Sequence, residues 1–267
     1  MASGEGTRRC IDVIRDFVIR RSNESDSGQP TIDTVDDARL TTMRLLLATY
    51  NIHRCTGLDG RHDPDRVLGV LRELDADVIA LQEVDSHEHK GLELLKWISQ
   101  ETKLTAIPGP TLLRQNGHYG NALLTRHYPM EVRHVDLSLP RREPRGAIDA
   151  DLACNGETLQ VIATHLGLTP AERRMQVQRL LQRFGTKHCV LMGDLNEWFL
   201  WGRPLRWINA IFGGSPAPAT FPSIWPIFAL DRIWIRPPGT LVDLKVHKSP
   251  LARRASDHLP ITATIEW

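Results

Sequence analysis

VLMGDLNEW, Val190 to Trp198, leads from an apolar, strand-like run into a carboxylate, an amide and a second carboxylate: Asp194, Asn196 and Glu197. Gly, Asp and Asn favour turns because they tolerate unusual backbone angles and bond to their own backbone. The stretch reads either as an ordinary turn or as a site placed where a buried strand stops. What stands at the ends of the other apolar runs separates the two.

Such runs recur from Met43 onward. LLLATY, DVIALQEV, NALLT, AIDADLA, TLQVIATHL, HCVLMGD, DRIWI and PITATIEW read as strands. Between them lie helical patterns. Asp63 and Pro64 form an N-cap and first helical position ahead of Val67, Leu68, Val70, Leu71 and Leu74, which share a face. Thr169, Pro170 and Glu172 form a capping box ahead of Met175, Val177, Leu180, Leu181 and Phe184, and Leu92 to Gln100 reads as a third helix. Fully apolar early strands and more alternating later ones predict sheets covered by helices on one face and packed on each other on the other. Trp198 to Pro226 reads as a long loop, within which WGRPLRWINAIFG is amphipathic.

The strand ends carry a consistent set of groups. Asn51 follows LLLATY, Glu83 ends VIALQ, His165 ends QVIAT, Asp194 and Asn196 follow VLMG, Asp231 opens DRIWI, and Asp257 and His258 precede LPITATIEW. Taken singly, each has a structural explanation as a solvated strand end, a cap or a turn. Taken together, they supply what phosphoester hydrolysis requires. Carboxylates such as Glu83 and Asp257 suit a hard Mg²⁺ or Mn²⁺ ion. Asp194 is placed to orient or deprotonate a water. Asn51, Asn196, His165 and His258 are donors for phosphate oxygens, and Asp231 can hold His258 protonated.

Composition bounds the rest. The chain has 267 residues, with 33 Lys plus Arg against 32 Asp plus Glu, so no global charge marks it as a nucleic-acid binder. Cys10, Cys55, Cys154 and Cys189 are scattered without zinc or disulfide spacing, and a cytoplasmic location is the expectation. No stretch approaches the roughly 20 apolar residues that span a bilayer. Residues 1–42, with a short helix over Ile11 to Arg20 followed by SNESDSGQPTIDTVDD, are expected to be a flexible extension of a domain covering 43–267.

The ordered set TYN, LQE, THL, GDLN, LDRI and SDH, together with YGNALLTR at Tyr119 to Arg126, resembles the endonuclease/exonuclease/phosphatase superfamily, the DNase I-like group. The resemblance covers about residues 43 to 267. It implies a four-layered α/β sandwich of two packed, mostly antiparallel sheets flanked by helices, and divalent-metal hydrolysis of a phosphoester. It also implies that Glu83 binds the metal with Asn51 beside it and Asp257 contributing directly or through water. Asp194 would align the attacking water, Asn196 and His165 would contact the phosphate, and His258, supported by Asp231, would stabilise the transition state or transfer a proton. Arg145, Asn121 and Arg61 are substrate-binding candidates.

The substrate is open at this level. Five of the seven tryptophans fall between Trp198 and Trp234. Aromatic loops can rest at a lipid interface or stack on bases, or simply pack the loop onto the sheet. A lipid headgroup or other small phosphoester is the first expectation, with possible peripheral membrane contact through residues 198–234. A nuclease acting on DNA or RNA is the alternative, and a non-catalytic binding module the third reading. A monomer is expected.

Overall fold

The computed structural model describes residues 42–114, 117–185 and 187–267. Cys10, the segment 1–41 and its expected helix lie outside the described residues. The strands, in chain order, are β1 (Arg44–Asn51), β2 (Val78–Ser86), the short pair β3 (Glu88–His89) and β4 (Leu92–Glu93), β5 (Thr105–Arg114), β6 (Gly117–Thr125), β7 (Tyr128–Asp136), β8 (Gly146–Cys154), β9 (Glu157–His165), β10 (His188–Asp194), β11 (Asp231–Arg236), β12 (Leu241–Val246) and β13 (Ile261–Glu266). One sheet runs β12-β13-β1-β2-β6-β5 and the other β11-β10-β9-β8-β7. Pairing is antiparallel except for β1 with β2 and β9 with β10, which are parallel.

Each parallel pair needs a crossover, and a helix supplies it. α1 (Pro64–Leu74) joins β1 to β2; its N-cap Asp63 accepts from the Arg66 amide. α2 (Leu94–Thr102) follows the β3–β4 hairpin, so the helix starts two residues later than its sequence pattern suggests, with Glu93 as its cap. α3 (Pro170–Leu180) joins β9 to β10 behind the Thr169–Glu172 capping box. α4 (Arg203–Phe212) lies inside the stretch expected as a loop. Its amphipathic pattern is a helix whose Leu205, Ile208 and Phe212 are buried against the second sheet. A single turn, α5 (Ala252–Ala255), completes the set.

Alternation along the central strands builds the layers. Leu45, Leu47, Val78, Ala80, Val161, Ala163, Val190 and Met192 point between the sheets. Their neighbours Ala48, Tyr50, Ile79 and Leu81 pack under α1, α2 and α5, while Ile162, Cys189 and Leu191 pack under α3 and α4. The result is helix, sheet, sheet, helix. Among the described residues no helix is long and apolar enough to cross a membrane.

Three strands without a clear sequence pattern, β5, β7 and β12, are all sheet edges. β5 contains Pro108 and Pro110, and β7 contains Pro129 beside a register shift. Proline lacks a ladder donor and is tolerated at edges and bulges. Close approach fixes the glycine of β10. Gly193 has φ +149°, and a Cβ there would lie 1.8 Å from the Thr164 carbonyl oxygen on the parallel neighbour β9.

Candidate active site

The alternation that fills the space between the sheets also delivers the polar groups. On β1 the inward positions Leu45, Leu47 and Thr49 continue to Asn51; on β9 Val161 and Ala163 continue to His165; on β10 Val190 and Met192 continue to Asp194. On β11 Asp231 shares its face with Ile233 and Ile235. Register then aligns them, because Asp194 pairs with His165 on one side and with Asp231 on the other. The apolar layer therefore ends in a polar one at the carboxyl ends of the two parallel pairs.

Asp194, 1% exposed, is the centre. Its Oδ2 accepts from Asn51 Nδ2 at 3.0 Å, and its Oδ1 from the Asn196 amide at 2.8 Å. The Nε2 atoms of two histidines face the same Oδ2, His165 at 3.5 Å and His258 at 3.7 Å. Asn51 uses its other amide end as well, accepting from the His53 amide, and its Nδ2 also donates to Glu83 Oε1 at 3.2 Å. Asn51 thus ties the acid on β2 to the acid on β10.

The two histidines are pushed in opposite directions. Burial drives His165 down to about 3; Asp194 opposes this and the Arg145 charge adds to it. Arg145 donates to His165 Nδ1 at 2.9 Å. A guanidinium has only donors, so the ring's single proton sits on Nε2, facing Asp194. The Asn196 Nδ2 lies 3.0 Å from that nitrogen and also donates to the Leu166 carbonyl, which leaves two N–H groups side by side. His258 is the reverse case. Burial alone would lower it, but Asp231 and then Asp194 raise it to about 10. Its Nδ1 donates to Asp231 Oδ2 at 2.8 Å, an oxygen that also accepts from Thr220 Oγ1 at 2.6 Å. It is an imidazolium at neutral pH.

Glu83 stands on a bulge. The β2–β6 register shifts between Leu81 and Val84, and Glu83 takes φ +56°. A left-handed non-glycine residue in a strand is rare and marks a re-aimed side chain. The bulge sends Val84 under the helices, while Glu83 stays partly exposed beside Asn51. Asp257 reaches the same region through Ser256, whose hydroxyl donates to the Asn51 carbonyl at 2.7 Å and lies 3.4 Å from Asp257 Oδ1; Asp257 Oδ1 is 3.7 Å from His53 Nδ1.

Glu83 has no cationic side chain within 4.0 Å among the described residues. Asp231, Asp194 and Asp257 act on the imidazolium of His258, while Glu83 lies on the far side of Asn51; the hard carboxylate oxygens of Glu83 and Asp257 fit a small divalent cation. Among the described residues Asp194, Asp231 and His258 also form a group whose ligand atoms lie within 4.8 Å of one another. Within that group His258 Nδ1 is already engaged by Asp231 Oδ2 at 2.8 Å.

The remaining candidates separate. Arg145 and Asn121 are buried and line one small cleft with Tyr119 and His165; Asn121 donates to the Gly146 carbonyl at 2.9 Å. Arg61 is exposed in the loop before α1, where its amide bonds Asp59, and its side chain is not brought to this cluster. One buried ion pair beside the site was missed by sequence reasoning. Arg173 of α3 bonds Glu197 through Nε–Oε2 at 3.0 Å and a second nitrogen to Oε1 at 3.3 Å, both side chains being buried. It clamps the turn that carries Asn196. Its spacing from Val177 and Leu180, which puts it on their helix face, is the one mark it leaves in the sequence, and that mark does not name Glu197 as its partner.

Known proteins agree with this architecture. The sequence pattern of the Endonuclease/Exonuclease/phosphatase family matches residues 48–258. The uncharacterized protein YbhP of Escherichia coli K12 is 29% identical over 243 residues, covering 81% of this chain and 94% of that protein. Among solved structures, an endonuclease/exonuclease/phosphatase from Beutenbergia cavernae superposes with a TM-score of 0.66 at 20% identity, covering 84% of this chain and 71% of that one. The D. rerio TDP2 complexed with single-strand DNA product superposes at 0.63 and 18% identity, covering 83% and 98%. The two helix-flanked sheets are those of the DNase I-like fold, and the family in general hydrolyses phosphoesters with a divalent metal. This chain belongs to the endonuclease/exonuclease/phosphatase family.

Proposed function

We propose that the protein is a divalent-metal-dependent phosphoester hydrolase acting on a lipid headgroup or other small phosphoester. The observation that carries this reading is the shared oxygen at its centre: Asp194 Oδ2 faces a neutral histidine, His165, and a cationic one, His258, 3.5 and 3.7 Å away. Two titratable groups held apart in pKa around one carboxylate mark an assigned division of acid and base.

The roles follow from the protonation states. Asp194, an acceptor, orients the attacking water and takes its proton. The paired N–H groups of His165 and Asn196 have no acceptor in common, and an arriving phosphoryl oxygen gives them one as negative charge grows there. His258, held protonated by Asp231, places a positive charge and a transferable proton beside the same centre. Glu83, with Asn51 orienting it and Asp257 nearby, would hold Mg²⁺ or Mn²⁺. What such a cation supplies when bound is neutralisation of charge on the phosphoryl group.

A nuclease is the second reading; it rests on the fold shared with TDP2, a likeness of fold alone. One experiment separates the readings: incubation with Mg²⁺ and a generic phosphodiester, plasmid DNA or phospholipid vesicles. Hydrolysis of the phosphodiester and of a lipid headgroup supports the proposal. Plasmid nicking abolished by Asp194→Ala establishes the nuclease, and hydrolysis of none of the three by folded, metal-loaded protein overturns both.

A further inference from the structure

The five tryptophans between Trp198 and Trp234 do not act alike in the fold. Trp234 is 1% exposed and its indole donates to Asn209 at 2.8 Å, and Trp207 packs against the core under α4. Trp201 and Trp225, by contrast, are 74% and 77% exposed. They stand with Phe199 and Leu200 on one loop and with Ile224 and Ile227 on another, all more than half exposed. Large apolar side chains are stabilised by burial, so six left in water on neighbouring loops call for an occupant.

The two loops form one crest beside the site. Trp198 packs edge-on against Phe228 at 4.7 Å and Phe221 at 5.9 Å, the bridged pair at the base of the second loop. Phe221 in turn lies 4.8 Å from the His258 ring. The crest is therefore anchored on the wall of the catalytic cluster. Its charge is one-sided. From Trp198 to Leu230 the chain has no acidic residue and two arginines, Arg203 and Arg206, both exposed and without an ion pair among the described residues. Arg253 underlies the second loop, donating to the Ser223 and Ile224 carbonyls.

Exposed indoles at loop tips with a cationic flank match the boundary of a bilayer, where indoles favour the headgroup level and arginines are drawn to anionic lipid. We infer that the crest of Phe199–Trp201 and Ile224–Ile227 docks the protein on an anionic phospholipid surface, presenting the Asp194 cluster to headgroups there. This rests on the hydrolase reading for the purpose of docking, and the test keeps the two apart.

The full chain is sedimented with phosphatidylcholine vesicles with and without phosphatidylglycerol, and hydrolysis of a water-soluble phosphodiester is measured in parallel. Binding to the anionic vesicles is expected, reduced roughly tenfold or more in Trp201→Ser/Trp225→Ser and several-fold in Arg203→Gln/Arg206→Gln. Both variants retain hydrolysis of the soluble ester, because neither changes a group of the catalytic cluster. Absence of vesicle binding by the wild-type chain, or binding undiminished by the tryptophan substitutions, overturns the inference. So does a concentration-dependent dimer that the same substitutions disperse, which would assign the crest to a second copy. Vesicle binding by a folded, metal-loaded chain that hydrolyses neither the soluble ester nor the vesicle lipid supports docking while overturning the hydrolase reading.

Discussion

His258 Nδ1 lies 2.8 Å from Asp231 Oδ2, joining the turn that leads into the last strand to the first residue of β11. Both side chains are buried, so the carboxylate sets the histidine's protonation as well as its orientation. Asp231→Asn removes the charge and keeps the shape. Turnover on a generic phosphodiester is expected to fall by about 10²-fold or more, with Mg²⁺ affinity changed far less. Steady-state kinetics beside calorimetric titration check this; an unchanged rate would show that the pair is structural.

Glu83 is assigned to the cation on chemistry and on a backbone that is held at φ +56°. Glu83→Ala is expected to weaken Mg²⁺ binding by at least about tenfold while leaving the fold intact. Calorimetric metal titration decides it, with equal affinity in variant and wild type sinking the assignment.

Arg173 and Glu197 form a buried ion pair under the turn that carries Asn196. Removing one partner leaves an uncompensated charge, at a cost of about 3–5 kcal/mol. Glu197→Ala should lower the denaturation midpoint accordingly, and Arg173→Met/Glu197→Leu should recover much of that loss. Equal loss in the single and double variants would show that packing, not charge, dominates.

His165 makes a pH prediction with a definite sign. Its folded pKa is about 3, below the unfolded value near 6.5. Above that value both states are neutral and the group has no effect. As pH falls below it the unfolded chain takes up a proton that the folded chain refuses, and stability is lost down to about pH 3. Relative to wild type, His165→Gln is therefore expected to gain about 1.4 kcal/mol for each unit below pH 6. Denaturant melts of both proteins between pH 7 and 4 measure it; parallel profiles would mean that His165 protonates normally.

The central strands were legible because both of their faces are buried, and a run such as VLMG leaves little choice of partner. The edge strands β5, β7 and β12 were not, since an edge tolerates Pro108, Pro129 and polar residues that erase the alternation. The strand-end residues Asn51, His165, Asp194 and Asp231 could be read because their parity continues the buried face. The Glu83 bulge could not, as a one-residue insertion in pairing leaves no local mark. Arg173 reads alone as a solvated helix residue, and Glu197 as a turn cap; only the fold brings them within 3.0 Å.

The hydrolase proposal stands on Asp194 as the carboxylate base that orients and deprotonates water in a site whose donors are already in place. The direct measurement is single-turnover hydrolysis of a soluble phosphodiester by Asp194→Asn with saturating Mg²⁺, with circular dichroism and metal titration on the same protein. A loss of about 10²–10⁴-fold, with fold and Mg²⁺ affinity preserved, is the predicted result. A rate within a few-fold of wild type would contradict it.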